Sequence, residues 1–299
     1  MDTVRSAQYS EKGGVGKTSV TTGIAAVAGD RGMRVLVADL DPRATASIEL
    51  GIPITESGEI ELFTVNDLLA VNPSDDDPID PREAIHETIH PAGEGWPATV
   101  RVLPAERKLA NRETDTSPIE LRLKLGLSAV ADEFDLILFD LPPRAGGKLV
   151  TAALSALEDG DVLIPVELTT DGLDGALHAL RTIKQMKMGY NPDINIAGIV
   201  RSNVPRSPDI RAIHREIEAQ LYERWPELVI GDPLPAAVAD VDQAAALVSR
   251  YVIRHHSIRE ECRYAHVPIT GAPGREARAL VTAYGDLLDL LIERRASRG

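Results

Sequence analysis

Short apolar runs, most of them rich in Val, Ile and Leu, punctuate this chain, and the stretches between them carry apolar residues at helical rather than alternating spacing. A parallel strand buried on both faces reads as a near-continuous apolar run, and each parallel step needs a long crossover, usually a helix. The pattern therefore predicts an α/β fold, doubly wound, with a mostly parallel central sheet flanked by helices. Strands are expected at residues 3–9, 34–38, 99–103, 136–140, 162–166, 194–200 and 251–253, and helices at 19–30, 119–131, 148–157, 173–186, 209–222 and 275–294. The 299 residues are expected to form one domain, 1–299. Two stretches break the alternation: the acidic, proline-bearing NPSDDDPIDP near 72–81 reads as a surface loop, and 227–250 reads as an insertion.

The sharpest local feature is EKGGVGKTS, residues 11–19, between the first expected strand and the first helix. Gly13, Gly14 and Gly16 allow a tight turn whose backbone N–H groups reach phosphate oxygens without interference from side chains. Lys17 is placed for the β- and γ-phosphates, Thr18 for Mg²⁺, and the N-terminus of the following helix adds partial positive charge. The nucleotide-contacting set is thus Lys12, Gly13, Gly14, Val15, Gly16, Lys17, Thr18 and Ser19, and the expected cofactors are ATP and Mg²⁺. Glu11 stands where a plain GxxxxGK[ST] loop has its first glycine, so the P-loop is a deviant one. A second carboxylate belongs with it. In DLILFD four apolar residues lead into Asp140, the pattern of a buried strand ending in a Walker B acid that holds Mg²⁺.

With its extra lysine, KGGVGKT resembles the deviant Walker A group of ParA, MinD and the nitrogenase iron protein. The resemblance continues through VLVADLDPRATAS, DLPPRAGG, VRVLPA, DVLIPVELTTDGLDGALHAL and YVIRHHSIREECRYAHVPI, nearly the whole chain. It implies a ParA-type partition ATPase in which Lys12 crosses a dimer interface to the partner's ATP and Asp41 positions or activates the attacking water. Lys12, Lys17 and Asp41 are then the catalytic set, and Asn203 contacts adenine. Arg43-Ala44-Thr45 replaces the family's Gln-Gly-Asn, and Arg144 replaces the serine after its paired prolines. The implied activity is ATP hydrolysis by an ATP-dependent homodimer that binds DNA nonspecifically and partitions a plasmid or chromosome with a ParB-like partner. Ser257 stands where DNA-binding relatives carry a basic residue, so the DNA contacts fall instead to Arg254, Arg259 and Arg263, with Arg201, Arg206, Arg211 and Arg215 extending the stripe. With the first strand at residue 3, no N-terminal helix-turn-helix is expected.

A net charge of -14 argues against a strongly nucleic-acid-binding surface overall, but its distribution is uneven. Residues 201–299 hold 14 arginines against 14 acidic residues, so the whole excess of acid lies in the first 200. A basic face near the C-terminus stays compatible with that balance. A single cysteine, Cys262, excludes an intrachain disulfide and a thiolate metal cage, and it leaves an iron-sulfur electron donor without its cluster ligands. No apolar run reaches the length of a membrane span and no signal segment opens the chain, so a cytoplasmic, nucleoid-associated protein is expected, with no membrane partner. The alternative is a MinD-like membrane-associated or protein-cargo-positioning ATPase. His86-Glu87-Thr88-Ile89-His90 is a literal HExxH, but Pro91 follows it at once, so it reads as a chance match rather than a zinc site.

Overall fold

The computed structural model describes residues 2–55, 60–70, 79–115, 119–206, 209–234 and 250–298. Residues 72–78 of the expected acidic loop and 235–249 of the expected insertion lie outside these residues, while Asp80 and Pro81 at the end of the loop open a helix.

Among the described residues eight strands form one sheet in the order β3-β4-β2-β5-β1-β6-β7-β8. They are β1 (Val4–Gln8), β2 (Val35–Asp39), β3 (His90–Pro91), β4 (Val100–Leu103), β5 (Leu136–Asp140), β6 (Asp161–Val166), β7 (Asn195–Val204) and β8 (Val252–Arg254). All pairings are parallel except β3 with β4. The seven expected strands are all present within a few residues. The additional β3 is two residues long and contains Pro91 at the edge of the sheet, where the missing N–H breaks no ladder.

The crossovers are α1 (Lys17–Asp30), α2 (Thr45–Glu49), α3 (Val65–Leu69), α4 (Pro81–Thr88), α5 (Arg122–Val130), α6 (Lys148–Ala156), α7 (Thr170–Gly189), α8 (Ala212–Arg224), α9 (Ser257–Ala265) and α10 (Gly274–Ala296). The periodicity located the six long ones but not α2, α3, α4 and α9. Two of these carried readable caps. Thr64 and Asp67 form a capping box for α3, and Asp80 caps α4 with Pro81 at its first position. Helix α4 ends at Thr88 and His90 lies on β3, so the two histidines of the HExxH string do not share a helix face.

Alternation along the strands divides the core. In β5, Leu136 and Leu138 face the cluster that includes α1 and α10, while Ile137 and Phe139 face the one that includes α5, α6 and α7. Helices α1 and α10 approach closely because Gly23 has no side chain: a Cβ there would lie 2.4 Å from the ring of the buried Tyr284. Gly23→Ala is therefore expected to destabilise the fold by about 1–3 kcal/mol through overpacking, read from urea unfolding midpoints.

The winding reverses at β1, which lies between β5 and β6. Ligands in such sheets sit in the crevice outside the carboxyl ends of the strands at that reversal. Register places Gln8 and Asp39 on either side of Asp140, in one row at that edge.

Candidate functional site

The turn after β1 is built by glycine. Gly14 and Gly16 have φ of 79° and 84°, a left-handed region open to glycine without cost, and Gly16 is the N-cap of α1. Val15 is buried with its carbonyl taking the Ser202 hydroxyl at 2.5 Å, which fixes the loop on β7. A cavity of about 250 Å³ opens above it, and its wall includes Gly14, Gly16, Lys17, Thr18, Ser19, Asp41 and Asn203.

Lys17 is only 7% exposed and donates to the Lys12 carbonyl at 3.2 Å, which bends its side chain back over the loop. Burial lowers its pKa, Asp140 and Asp41 oppose that, and Arg43 adds to it. The Thr18 hydroxyl donates to Asp140 Oδ2 at 2.7 Å, and the Thr21 hydroxyl lies 3.3 Å from Oδ1 and 2.9 Å from Gln8 Oε1. Asp39 accepts from the Asp41 N–H at 3.0 Å and from the N–H and hydroxyl of Ser47 at 2.9 and 2.8 Å. Burial nevertheless pushes its carboxyl up to about 7. Asp140 is raised well above the usual carboxylate range, first by burial and then by Asp39. The Thr18 hydroxyl against Asp140, with the Asp39 carboxyl buried on the neighbouring strand, makes an all-oxygen donor set that suits a hard divalent cation. The residues present thus fit Mg²⁺ beside a phosphate chain.

Asp41 is at the mouth of the same cavity, 8% exposed, with Oδ1 accepting from the Arg43 N–H at 3.0 Å. Asn203 sits at φ 51° and reaches across to the P-loop, donating to the Gly14 carbonyl at 2.9 Å and to Glu167 Oε1 at 2.8 Å. Lys12 does not project outward. Its Nζ donates to Glu167 Oε2 and to the Thr169 hydroxyl, both at 2.9 Å. Gly175 of α7 makes room for this, since a Cβ there would come within 3.0 Å of the Lys12 Cβ. Glu167 was not singled out in the sequence, although it follows β6 directly, as Asp39 and Asp140 close β2 and β5. Thr169, the N-cap of α7, was equally legible from Thr-x-x-Gly, its hydroxyl accepting from the Gly172 N–H at 3.1 Å.

Two of the seven expected arginines, Arg201 and Arg259, are taken up in buried ion pairs. Arg259 is 9% exposed and forms a buried ion pair with Glu49 of α2, while its Nη2 donates to the Thr22 hydroxyl at 2.6 Å. Burial works against its charge and Glu49 overrides it, leaving Arg259 a stronger base than usual. It is unavailable to an external phosphate. Arg201 is fully buried against Glu218, with its guanidinium also bonded to the carbonyls of Asp232 and Ile230 at 2.8 Å each. Arg206 pairs with Glu276 at 2.6 Å, and Arg254 donates to the Pro205 carbonyl at 3.1 Å. Arg263 keeps about half its side chain exposed, at 51%, but with Glu260 it lines the phosphate cavity. Local sequence could not separate these fates, because each arginine sits among acidic residues and only packing selects which carboxylate it meets. Among the described residues no group of three or more His, Cys, Asp or Glu forms a metal cluster, and no helix is long and apolar enough to cross a membrane.

The family described as AAA domain matches residues 6–196. A chromosome-partitioning ATPase, Soj, from Thermus thermophilus is 31% identical over 238 residues, 78% of this chain and 82% of that protein. The chain belongs to the ParA-type P-loop ATPase family. An uncharacterized Mycobacterium tuberculosis protein is also 31% identical, over 228 residues that make up 75% of this chain and 64% of that protein. The chain therefore spans less than two thirds of that relative's length. A cobyrinic acid a,c-diamide synthase from Mycobacterium smegmatis, with bound ADP and magnesium, superposes with a TM-score of 0.61 and 26% identity, covering 82% of this chain and 90% of that one. These likenesses agree with the fold and the P-loop reached from the residues of this ParA-type chain.

Proposed function

We propose that this ParA-type chain binds MgATP, dimerises on it and hydrolyses it to drive partitioning of a DNA cargo. The observation that carries the reading is the Thr18–Asp140 contact at 2.7 Å beneath a glycine-built loop with Lys17 buried in it. In this reading the amides from Gly13 to Ser19 and Lys17 hold the phosphates, Thr18 and Asp140 hold Mg²⁺, and Asn203 lies beside adenine. Held by Thr18 and Asp140, Mg²⁺ would supply charge neutralisation to the bound phosphate chain. Asp41 orients the attacking water, and Lys12 leaves Glu167 and Thr169 to reach the partner subunit's phosphates, stabilising charge on the leaving group. The catalytic set is complete only in the dimer and a ParB-like partner organises it, so unstimulated turnover is slow.

DNA is the favoured template, bound without sequence preference. The apolar face of α10 supports this over a membrane-docking alternative. Its residues Leu280, Leu287, Leu288 and Leu291 are at most 2% exposed and pack into the core with α1, so that face is not free to enter a bilayer. Arg254 and the exposed Arg211 remain candidates for phosphate contact, while Arg259 is withdrawn and Arg263 belongs with the nucleotide. The test is a DNA mobility shift with ADP, ATP and a slowly hydrolysed ATP analogue across a salt series. Binding that needs the triphosphate and weakens steeply with salt supports the reading. No shift at low salt, with flotation on anionic vesicles in ATP, would transfer the function to a membrane template.

Lys12→Ala provides a second check. The variant is expected to bind MgATP within about threefold of the parent, because Lys17 and the loop amides are untouched, yet to stay monomeric with ATP in light-scattering chromatography and to lose at least about tenfold in hydrolysis. An ATP-dependent dimer of this variant with unchanged turnover contradicts the trans role.

A further inference from the structure

One phenol joins the loop after Asp140 to the phosphate-binding loop. Tyr9, the residue after β1, is wholly buried, and its hydroxyl lies 3.0 Å from the Arg144 carbonyl, 3.2 Å from Glu11 Oε1 and 3.5 Å from the Gly146 nitrogen. Thr182 of α7 donates to the same Glu11 oxygen at 2.7 Å. Arg144 and Gly146 belong to residues 141–147, which carry neither helix nor strand and include glycines at φ 59° and 91°, Gly146 and Gly147. Pro143 of this stretch lines the phosphate cavity and lies over Gly13, where a Cβ would stand 3.9 Å from the proline ring. A wall of the site is therefore made of backbone without a ladder of its own.

A phenol has a single proton to donate. Tyr9 can give it to the Glu11 carboxylate or to the Arg144 carbonyl, while its oxygen accepts from the Gly146 N–H. We infer that Tyr9 is a positioning residue, tying the backbone at Arg144 and Gly146 to Glu11 and so setting where Pro143 stands over the phosphates. The inference rests on the reading of this cavity as an ATP site. Asp140 precedes the loop by one residue, so a shift of the wall moves the phosphates against the Mg²⁺-holding side without removing any group that binds them. Misplacement of that kind lowers turnover more than affinity.

Tyr9→Phe keeps the buried ring and removes only the hydroxyl. In the full chain it is expected to lower kcat about tenfold with the Kd for MgATP within about twofold of the parent, and to speed tryptic cleavage after Arg144 about tenfold in nucleotide-free protein. Thr182→Ser keeps a hydroxyl beside Glu11 and Tyr9 and leaves the loop tied, so both readouts should stay within about twofold of the parent. A parental cleavage rate in Tyr9→Phe overturns the inference. So does a parallel fall of affinity and kcat, or the same defect in Thr182→Ser. If the parent itself binds no MgATP, the nucleotide reading fails, and the cleavage comparison still decides whether Tyr9 holds the loop.

Discussion

Lys17→Ala lowers the affinity for MgATP by at least about 100-fold, the equivalent of roughly 3 kcal/mol. The amine is 7% exposed and aimed into the loop, so contact with phosphate occurs where water competes little and a charge-assisted bond is strong. Its protein partners among the described residues are few: one carbonyl at 3.2 Å, and the fields of Asp140 and Asp41. A triphosphate therefore gives the ammonium ion what burial denies it. Removing the lysine leaves the amides and α1 in place but unable to neutralise the charge beside Asp140. The measurement is titration calorimetry, and a companion readout is thermal melting, where saturating MgATP should raise the midpoint of the parent and not of the variant. An unchanged Kd places the phosphates elsewhere. Lys12→Ala, altered only five residues away, should behave oppositely by retaining nucleotide and losing the dimer.

Arg259→Ala is expected to cost about 3–5 kcal/mol of folding stability, because it strands Glu49 in the interior without its counter-charge. Glu49 is 2% exposed and would keep only the Thr22 hydroxyl at 2.7 Å. The pair links three elements: α9 carries the arginine, α2 the glutamate and α1 the threonine. Its loss should therefore loosen α9 from the helix that begins at the P-loop. Urea unfolding measures the effect, and the double variant with Glu49→Ala should recover part of it, since no charge is then left buried alone. A single-variant cost below about 1 kcal/mol would mean that the arginine is solvated in solution, and would return it to the list of DNA contacts.

The strands and long helices were legible in the sequence because each is a local pattern: an apolar run for a strand buried on both faces, a 3.6-residue period for the helix that covers it. So were the loop of residues 11–19 and the position of Asp140, since a glycine-bearing strand-to-helix turn and a carboxylate closing an apolar run need no distant partner to be recognised. Short helices escaped where periodicity had too few residues to register, even though the Thr64 and Asp80 caps were written in the chain.

Side-chain partnership was decided only by the fold. Arg259 and Arg263 lie four residues apart with similar neighbours in the sequence, yet one is sealed against Glu49 and the other opens on the cavity. Lys12 meets Glu167 across 155 residues, and Tyr9 meets the Arg144 carbonyl across 135. A motif specifies which backbone amides and charged groups gather at the ends of the strands, because those residues are neighbours along the chain. Which carboxylate or carbonyl each side chain then finds depends on crossovers that bring remote segments to one edge of the sheet, and burial there turns an ordinary surface charge into a fixed structural pair.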